Sequence, residues 1–388
     1  MKLASLLAAT IFLVSPDKLT AQQKRASFFT WRKFGVLPSA EVDQPSHGVG
    51  GAIAGIHANR LIILGGTYFP EKMPWEGGKK KYETKGFVYT IDDNGAVSLE
   101  HEFEFPVPIG YAAVSETSEG LLIAGGENQE GLSKKTWILN YNASDKFVTF
   151  HPLPDLPFAI SSASACFVSG KLFLAGGETE LEASNKLLQL DLKLPNSEWK
   201  ILANIPHAVS HAVLFAVKNS SKNLLILAGG RRKSPGQLTT FYDQVYQYNL
   251  NSNSWKEAPS LPYPLAAGTG LAIEEGTCFI FGGDKGETYH RVEELVFLIN
   301  KSSDKGQIDS LNELKAKVQS NHPGFSKEIL MLDGFTKKWI RAGKIPFETP
   351  VTTRAFFWGD RVVLAPGEIK AGVRTADIYS AIIHKPLP

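Results

Sequence analysis

The 388-residue chain has only two cysteines, Cys166 and Cys278, and they lie far apart in sequence. Two isolated thiols make neither a disulfide framework nor the paired spacing of a zinc site. No apolar run reaches the roughly 18 residues that a spanning helix needs, so the mature chain is not an integral helical membrane protein. Charge of one sign is missing as well, with 41 Lys and Arg against 39 Asp and Glu, a formal +2. Nucleic acid normally asks for a strongly basic face, so that partner class is excluded. Disorder is excluded too, because 11% of the residues are aromatic and the charges nearly balance.

What is present begins with an address. Met1-Lys2 is followed by Leu3 to Val14, apolar apart from Ser5 and Thr10, then by Ser15-Pro16 and Leu19-Thr20-Ala21. Charge, apolar core and small residue in that order form the pattern of a cleaved secretory signal. The expectation is a signal over residues 1–21 and a mature domain over 22–388, soluble and either periplasmic or secreted. No cysteine follows the apolar stretch, which argues against a lipid anchor.

Short apolar runs closed by a glycine pair then recur. They end at Gly65-Gly66, Gly125-Gly126, Gly176-Gly177, Gly229-Gly230 and Gly282-Gly283, and a sixth copy reads Val362-Val363-Leu364-Ala365-Pro366-Gly367. Runs of this length read as buried strands. A second marker alternates with the first, an apolar anchor six residues before an apolar-Pro pair: Trp31, Leu99, Phe150, Trp199, Trp255 and Trp339. Copies about 50 to 85 residues apart lie in the range of propeller blades. Such a unit cannot bury its sheet alone, so the units must pack face to face in a ring.

The order of markers predicts how the ring closes. The chain opens on an anchor-type strand, Phe28 to Phe34, and ends on a glycine-type strand, Arg361 to Ala365, with one more at Asp377 to Ile382. These fragments complete each other if the last blade takes its outer strand from the amino terminus, which removes exposed edges. The expected fold is all-β: a six-bladed propeller, its last blade closed by the N-terminal strand. The glycine-pair and Trp pattern resembles the kelch repeat.

Two loops after glycine pairs are long. One runs from Thr67 to Thr84; the other follows Gly283 and places a helical insertion in the fifth glycine-marked blade. There Ile308, Leu311, Leu314 and Val318 share a helical stripe, Ser310 and Glu313 have capping-box spacing, and the helix should end near Asn321-His322-Pro323-Gly324. Both insertions should converge over one mouth of the channel, where loops on a rigid scaffold carry function.

The sixth copy continues as Glu368-Ile369-Lys370-Ala371-Gly372-Val373-Arg374-Thr375, a carboxylate and a guanidinium six residues apart across a tight turn. Glu368 could accept a proton and Arg374 clamp an anion, but a plain surface salt bridge across the turn is the commoner arrangement. Glu127 and Glu178 also follow glycine pairs, so a Glu in that place is not diagnostic. His207 and His211 would share a strand face, but no third ligand for a metal is apparent. Gly48-Val49-Gly50-Gly51 lacks the helix of a dinucleotide loop and reads as strand packing. Arg231-Arg232-Lys233 and Lys79-Lys80-Lys81, on the insertion rim, would raise a positive field for an anionic ligand or simply be solvated. Asn142-Ala143-Ser144 matches a glycosylation sequon, which chance often produces.

The Glu368 to Asp377 segment is similar to the Gly-Glu-x-Lys-x-Gly-x-Arg-Thr stretch of bacterial N-acetylneuraminate mutarotases (sialate epimerases), which are exported six-bladed kelch propellers. His47 to Thr84, with its Gly50 to Gly55 and Glu76 to Tyr82 stretches, and the insertion at about 289–325 resemble corresponding parts of that family, in rotated order around the ring. The resemblance implies a cyclically permuted mutarotase-like isomerase. Glu368 would match its acid/base and Arg374 its partner arginine. Tyr111, in a stretch similar to a Tyr-containing strand start of the family, would contact the sugar ring or simply pack as a core aromatic. Arg231 and Lys80 of the basic loops are the other expected substrate contacts. It implies a small sugar acid as partner, with no metal and no cofactor. Pro366 departs from the family pattern and should shift only the approach to the turn. The competing readings are a non-catalytic propeller binding a glycan or a protein on the same rim, or another sugar isomerase or lyase.

Overall fold

A computed structural model describes residues 28–39, 45–219, 222–273 and 276–384. The expected signal over residues 1–21 lies outside them. Six four-stranded antiparallel sheets form the blades. Blade 1 runs Ile53–His57, Arg60–Leu64, Lys85–Ile91 and Val97–Glu104, from the channel outward. Blades 2 to 5 repeat this order, with innermost strands Ala113–Thr117, Ser164–Val168, Val213–Asn219 and Thr269–Ala272. Blade 6 is Ala355–Trp358, Arg361–Leu364 and Asp377–Ile383, and its outer strand is the amino-terminal Phe29–Val36. The expected closure is therefore present, with Trp31 opposite Ala381 and Lys33 opposite Tyr379.

Alternation along the glycine-marked strands explains why they are apolar throughout. In blade 1, Leu61 and Ile63 face blade 6 and join Phe356, Trp358 and Val363. Their neighbours Ile62 and Leu64 face blade 2 and join Val114, Leu121 and Ile123. Because each sheet is sandwiched, both strand faces are buried, and each large side chain so buried contributes about 1.5–3 kcal/mol. The anchor residues lie on or next to the outer strands, where two indoles tie blade to blade. Trp199 Nε1 donates to the Pro154 carbonyl and Trp255 Nε1 to that of Ala203, each at 2.9 Å. Phe29 holds the terminal strand by edge-on contacts with Phe279 and Phe281 of blade 5, at ring separations of 5.2 and 5.4 Å.

A second closure runs around the channel. Gly51, Tyr111, Ser162, His211, Ala267 and Thr352, one just before each innermost strand, all have φ between 48° and 68°. The N–H of each donates to the carbonyl of its counterpart in the neighbouring blade, at 2.8 to 3.2 Å, and the six bonds form a complete cycle. Left-handed backbone is unfavourable for the five non-glycine members, on the order of 1 kcal/mol or more each, and the ring of bonds holds it.

The helical insertion differs in detail from the expectation. It is a pair, α1 (Glu287–Lys301) and α2 (Lys305–Ser320). The cap of α2 is Asp304, whose side chain accepts from the Gln307 N–H at 3.0 Å. Ser310 lies inside the helix, where its hydroxyl donates to the Gly306 carbonyl at 3.0 Å, so the Ser310–Glu313 capping box does not form. A carboxylate ahead of a helix competes better for the free N–H groups than a hydroxyl already inside it. α2 ends at Ser320, next to the expected stop.

Candidate active site

The residue after each of the five glycine pairs, and after Pro366-Gly367 in blade 6, occupies one position of a six-fold ring: Thr67, Glu127, Glu178, Arg231, Asp284 and Glu368. Each forms an antiparallel bridge with the residue before the left-handed position of its own blade. This register brings all but Thr67 to the lining of one cavity of about 600 Å³. A Glu after the glycine pair is thus a ring position rather than an uninformative one, and only closure of the propeller makes the copies converge.

Blade 6 reaches this ring by its own route. The first glycine of each other pair has φ of 61° to 68°, which proline at 366 cannot adopt. Even so, Glu368 exchanges both backbone hydrogen bonds with Val351, at 2.8 and 2.9 Å. The proline changes the approach and leaves the position. Glu368–Lys370 and Val373–Arg374 then form a hairpin with Glu368 directly opposite Arg374. Glu368 Oε1 accepts from the Gly372 N–H at 2.7 Å and lies 3.1 Å from Arg374 Nη1. Arg374 is 5% exposed in its side chain; its Nε donates to the Thr67 carbonyl at 3.3 Å, and the guanidinium lies 5.3 Å from the Phe69 ring centre. The Arg374–Glu368 contact is an ion pair by distance only, since the buried Nη1 makes no well-angled hydrogen bond.

The glycines at 48 and 50 exist for this hairpin. A Cβ on Gly48 would fall 2.1 Å from the Thr375 carbonyl carbon, and one on Gly50 would fall 2.8 Å from Arg374 Nε. Blade 1 can lie against the turn only because those atoms are missing, which gives the strand-packing reading of this segment its physical content.

The other expected contacts also line the cavity. Lys80 Nζ lies 2.5 Å from Glu127 Oε1 and 4.9 Å from the Tyr111 ring centre. Tyr82 donates to the same Glu127 oxygen at 2.7 Å, and the Tyr111 hydroxyl lies 3.2 Å from Thr67 Oγ1. Arg231 is 3.6 Å from Glu178, 3.4 Å from His211 Nε2 and 4.8 Å from the Tyr289 ring centre. Of the two basic triplets, Arg231, Lys233 and Lys80 face the cavity; Lys81 turns to Tyr68 and Glu83.

His207 and His211 do not share a strand face. His207 stacks on Tyr242 at 3.8 Å, whereas His211 occupies the left-handed position of blade 4 and lines the cavity. Burial, with Arg231 adding to it, pulls His211 down to about 3, so the imidazole is neutral. Arg231 donates to Nε2, which puts the ring proton on Nδ1, 3.1 Å from Ser210 Oγ. Sequence reasoning also misses Asp284 and His322. Asp284 carries the ring-position signal; His322, in the loop after α2, carries none.

Above this polar floor lies an apolar roof. Val292, Val296 and Phe297 of α1 meet Phe69 and Pro74 of the blade 1 insertion across the cavity. The short 3₁₀ turn Pro74–Glu76 contacts α2, and a Cβ on Gly372 would fall 2.6 Å from Pro74 Cδ. The two insertions therefore converge over the blade 6 hairpin, as expected from their shared rim.

Fold and site together define a closed propeller that offers a small ligand a floor of carboxylate–cation pairs beneath an apolar lid. The family model for N-acetylneuraminate epimerase matches residues 153–386, which takes in blades 3 to 5, the three carboxy-terminal strands of blade 6, both helices and the Glu368–Arg374 hairpin. The chain belongs to the N-acetylneuraminate epimerase family. Curated relatives of that name include one from Haemophilus influenzae (strain 86-028NP), 25% identical over 226 residues, 58% of each chain. Those from Shigella sonnei (strain Ss046) and Escherichia coli O9:H4 (strain HS) are also 25% identical, over 227 residues, 58% of this chain and 59% of theirs. The chain thus spans under three-fifths of the length of the curated relatives it matches.

Proposed function

We propose that the protein interconverts the α and β anomers of N-acetylneuraminate by acid/base catalysis at Glu368, with Arg374 as its partner. The observation that carries this reading is the Glu368–Arg374 pair, 18% and 5% exposed in its side chains, at the ring position of a cavity large enough for a sugar acid. Both contacts to Glu368 fall on Oε1, leaving Oε2 without a protein partner among the described residues. That oxygen can accept the anomeric hydroxyl proton, while Arg374 Nη1, lacking a well-angled acceptor, suits the carboxylate of the sugar. Arg231, Lys80 and Tyr111 would make further contacts, with Lys233 adding to the positive field. Among the described residues no group of three or more His, Cys, Asp or Glu is placed to hold a metal. The mechanism needs only proton transfers.

A match confined to part of each chain is what a linear comparison returns when a ring has been cut at a different blade, which supports the rotated order. Residues 1–21 would direct export to the periplasm or beyond; amino-terminal sequencing of the fractionated protein tests that. The activity is tested by proton NMR of freshly released α-sialic acid. The wild type should accelerate the approach to anomeric equilibrium, and Glu368→Gln should lose about 10²- to 10⁴-fold of that acceleration while remaining folded. Equal rates with and without the wild type reject the reading.

A further inference from the structure

Opening a cyclic keto sugar moves two protons. One leaves the anomeric hydroxyl and the other must arrive at the ring oxygen, so a site with Glu368 as acceptor is short of a donor. The following inference rests on the anomer-interconversion reading.

Four carboxylates stand on the inner ring. Glu127 has Lys80 at 2.5 Å, Glu178 has Arg231 at 3.6 Å and Glu368 has Arg374 at 3.1 Å. Asp284 is the exception. Among the described residues no Lys, Arg or His nitrogen lies within 4.0 Å of it, and its Oδ1 accepts only the Gly286 N–H, at 2.8 Å. It holds in blade 5 the place that Glu368 holds in blade 6, and both line the cavity. Beside them His322, 6% exposed, lines the same cavity; its Nδ1 accepts from the Gly324 N–H at 3.0 Å, so the neutral ring carries its proton on Nε2. Burial pulls His322 below the usual histidine range, against the Asp284 and Glu368 charges that favour its protonated form.

We propose that Asp284 is the second proton-transfer residue of this site, giving its carboxyl proton to the ring oxygen while Glu368 takes the anomeric hydroxyl proton. In the opening step the bond between the anomeric carbon and the ring oxygen breaks. Its electron pair stays on the ring oxygen, which takes the Asp284 proton, and the deprotonated anomeric oxygen becomes the keto oxygen. After rotation about the bond to the keto carbon, closure reverses both transfers with the new hydroxyl on the opposite face. Both carboxyl groups return to their starting states, so no co-reactant is consumed.

The electrostatics fit this division. Burial raises Asp284 above the ordinary carboxylate range, and the Glu368 charge of blade 6 adds to it; the Gly286 N–H, Arg231 of blade 4 and His322 of the insertion oppose them. Glu368, with Arg374 at 3.1 Å, and Asp284, with no cation within 4.0 Å among the described residues, thus stand in one cavity in different charge surroundings, the arrangement of a base beside an acid.

The experiment compares wild type, Asp284→Asn and Glu368→Gln by NMR anomer kinetics from about pH 4 to about pH 9. Asp284→Asn should lower kcat about 100-fold with KM little changed. In the wild type the rate should fall on the alkaline side as Asp284 loses its proton, and that limb should vanish in Asp284→Asn. Should the variant fold poorly, the wild-type limb alone decides: a rate that does not fall on the alkaline side overturns the assignment. A folded Asp284→Asn with wild-type kcat, or one changed only in KM, also overturns it. If Glu368→Gln is dead in that same case, the functional reading stands and Asp284 alone is rejected. A wild type without activity rejects both.

Discussion

Gly50→Ala is a test in which one methyl group reports on the whole arrangement. Gly50 does not have positive φ, so alanine fits its backbone. The new Cβ would lie 2.8 Å from Arg374 Nε, 3.1 Å from Arg374 Cδ and 3.3 Å from Thr352 Oγ1. Ordinary contact begins near 3.4 Å, so the guanidinium must retreat by about 0.6 Å. It has little room, being 5% exposed and held by Thr67, Phe69 and Glu368. Overpacking of this kind costs about 1–3 kcal/mol of stability. Because a misplacement of about 1 Å can cost 10²-fold in rate, the variant should lose about 10- to 100-fold in kcat/KM, or roughly 1.4–2.7 kcal/mol. NMR anomer kinetics and a thermal melt give the two readouts. If the loss acts through Arg374, Gly50→Ala should cost nothing further in an Arg374→Ala background. A folded Gly50→Ala with wild-type kinetics, or full additivity in the double variant, would refute the role given to the pair.

Other changes test separate parts of the structure. Arg374→Lys keeps the charge but loses the planar fork, so activity should drop by about tenfold or more, read as a raised KM for the sugar acid. Phe29→Ala removes the ring that pins the terminal strand to blade 5 and should cost about 3–5 kcal/mol by denaturant unfolding; an unchanged midpoint would mean that the strand contributes little to closure. His211 is neutral in the fold with its pKa pulled down to about 3, whereas the unfolded chain takes up its proton near 6.5. Its contribution is therefore complete above about pH 6.5 and is lost progressively on acidification below it. His211→Asn should flatten that slope by one group, and an identical slope in the two proteins would contradict the burial. Asp304→Ala removes the cap of α2 and should cost about 1 kcal/mol, visible as earlier thermal loss of helical signal.

Much of this molecule is legible in one dimension. Four apolar residues closed by glycines specify a strand buried on both faces, because alternation and turn chemistry are local properties. The complementary fragments at the two chain ends specify how the last blade is completed, since an unpaired edge is costly wherever it lies. The Glu368–Arg374 turn is legible for the same reason, its partners being only six residues apart. Other features have no local trace. Single-residue spacing cannot tell that Thr67, Glu127, Glu178, Arg231, Asp284 and Glu368 are equivalent and meet at one mouth, since their nearness comes from the curvature of six packed sheets. Asp304, not Ser310, caps α2 because the first helix ends at Lys301, which the apolar stripe does not mark. His322 reaches the cavity only because the helix pair folds back over the ring. Gly48 and Gly50 read only as general strand packing until Thr375 and Arg374 arrive from the far end of the chain. Pattern settles what short-range burial and backbone conformation control; ring closure, which joins residues hundreds of positions apart, settles which side chains share a charge environment.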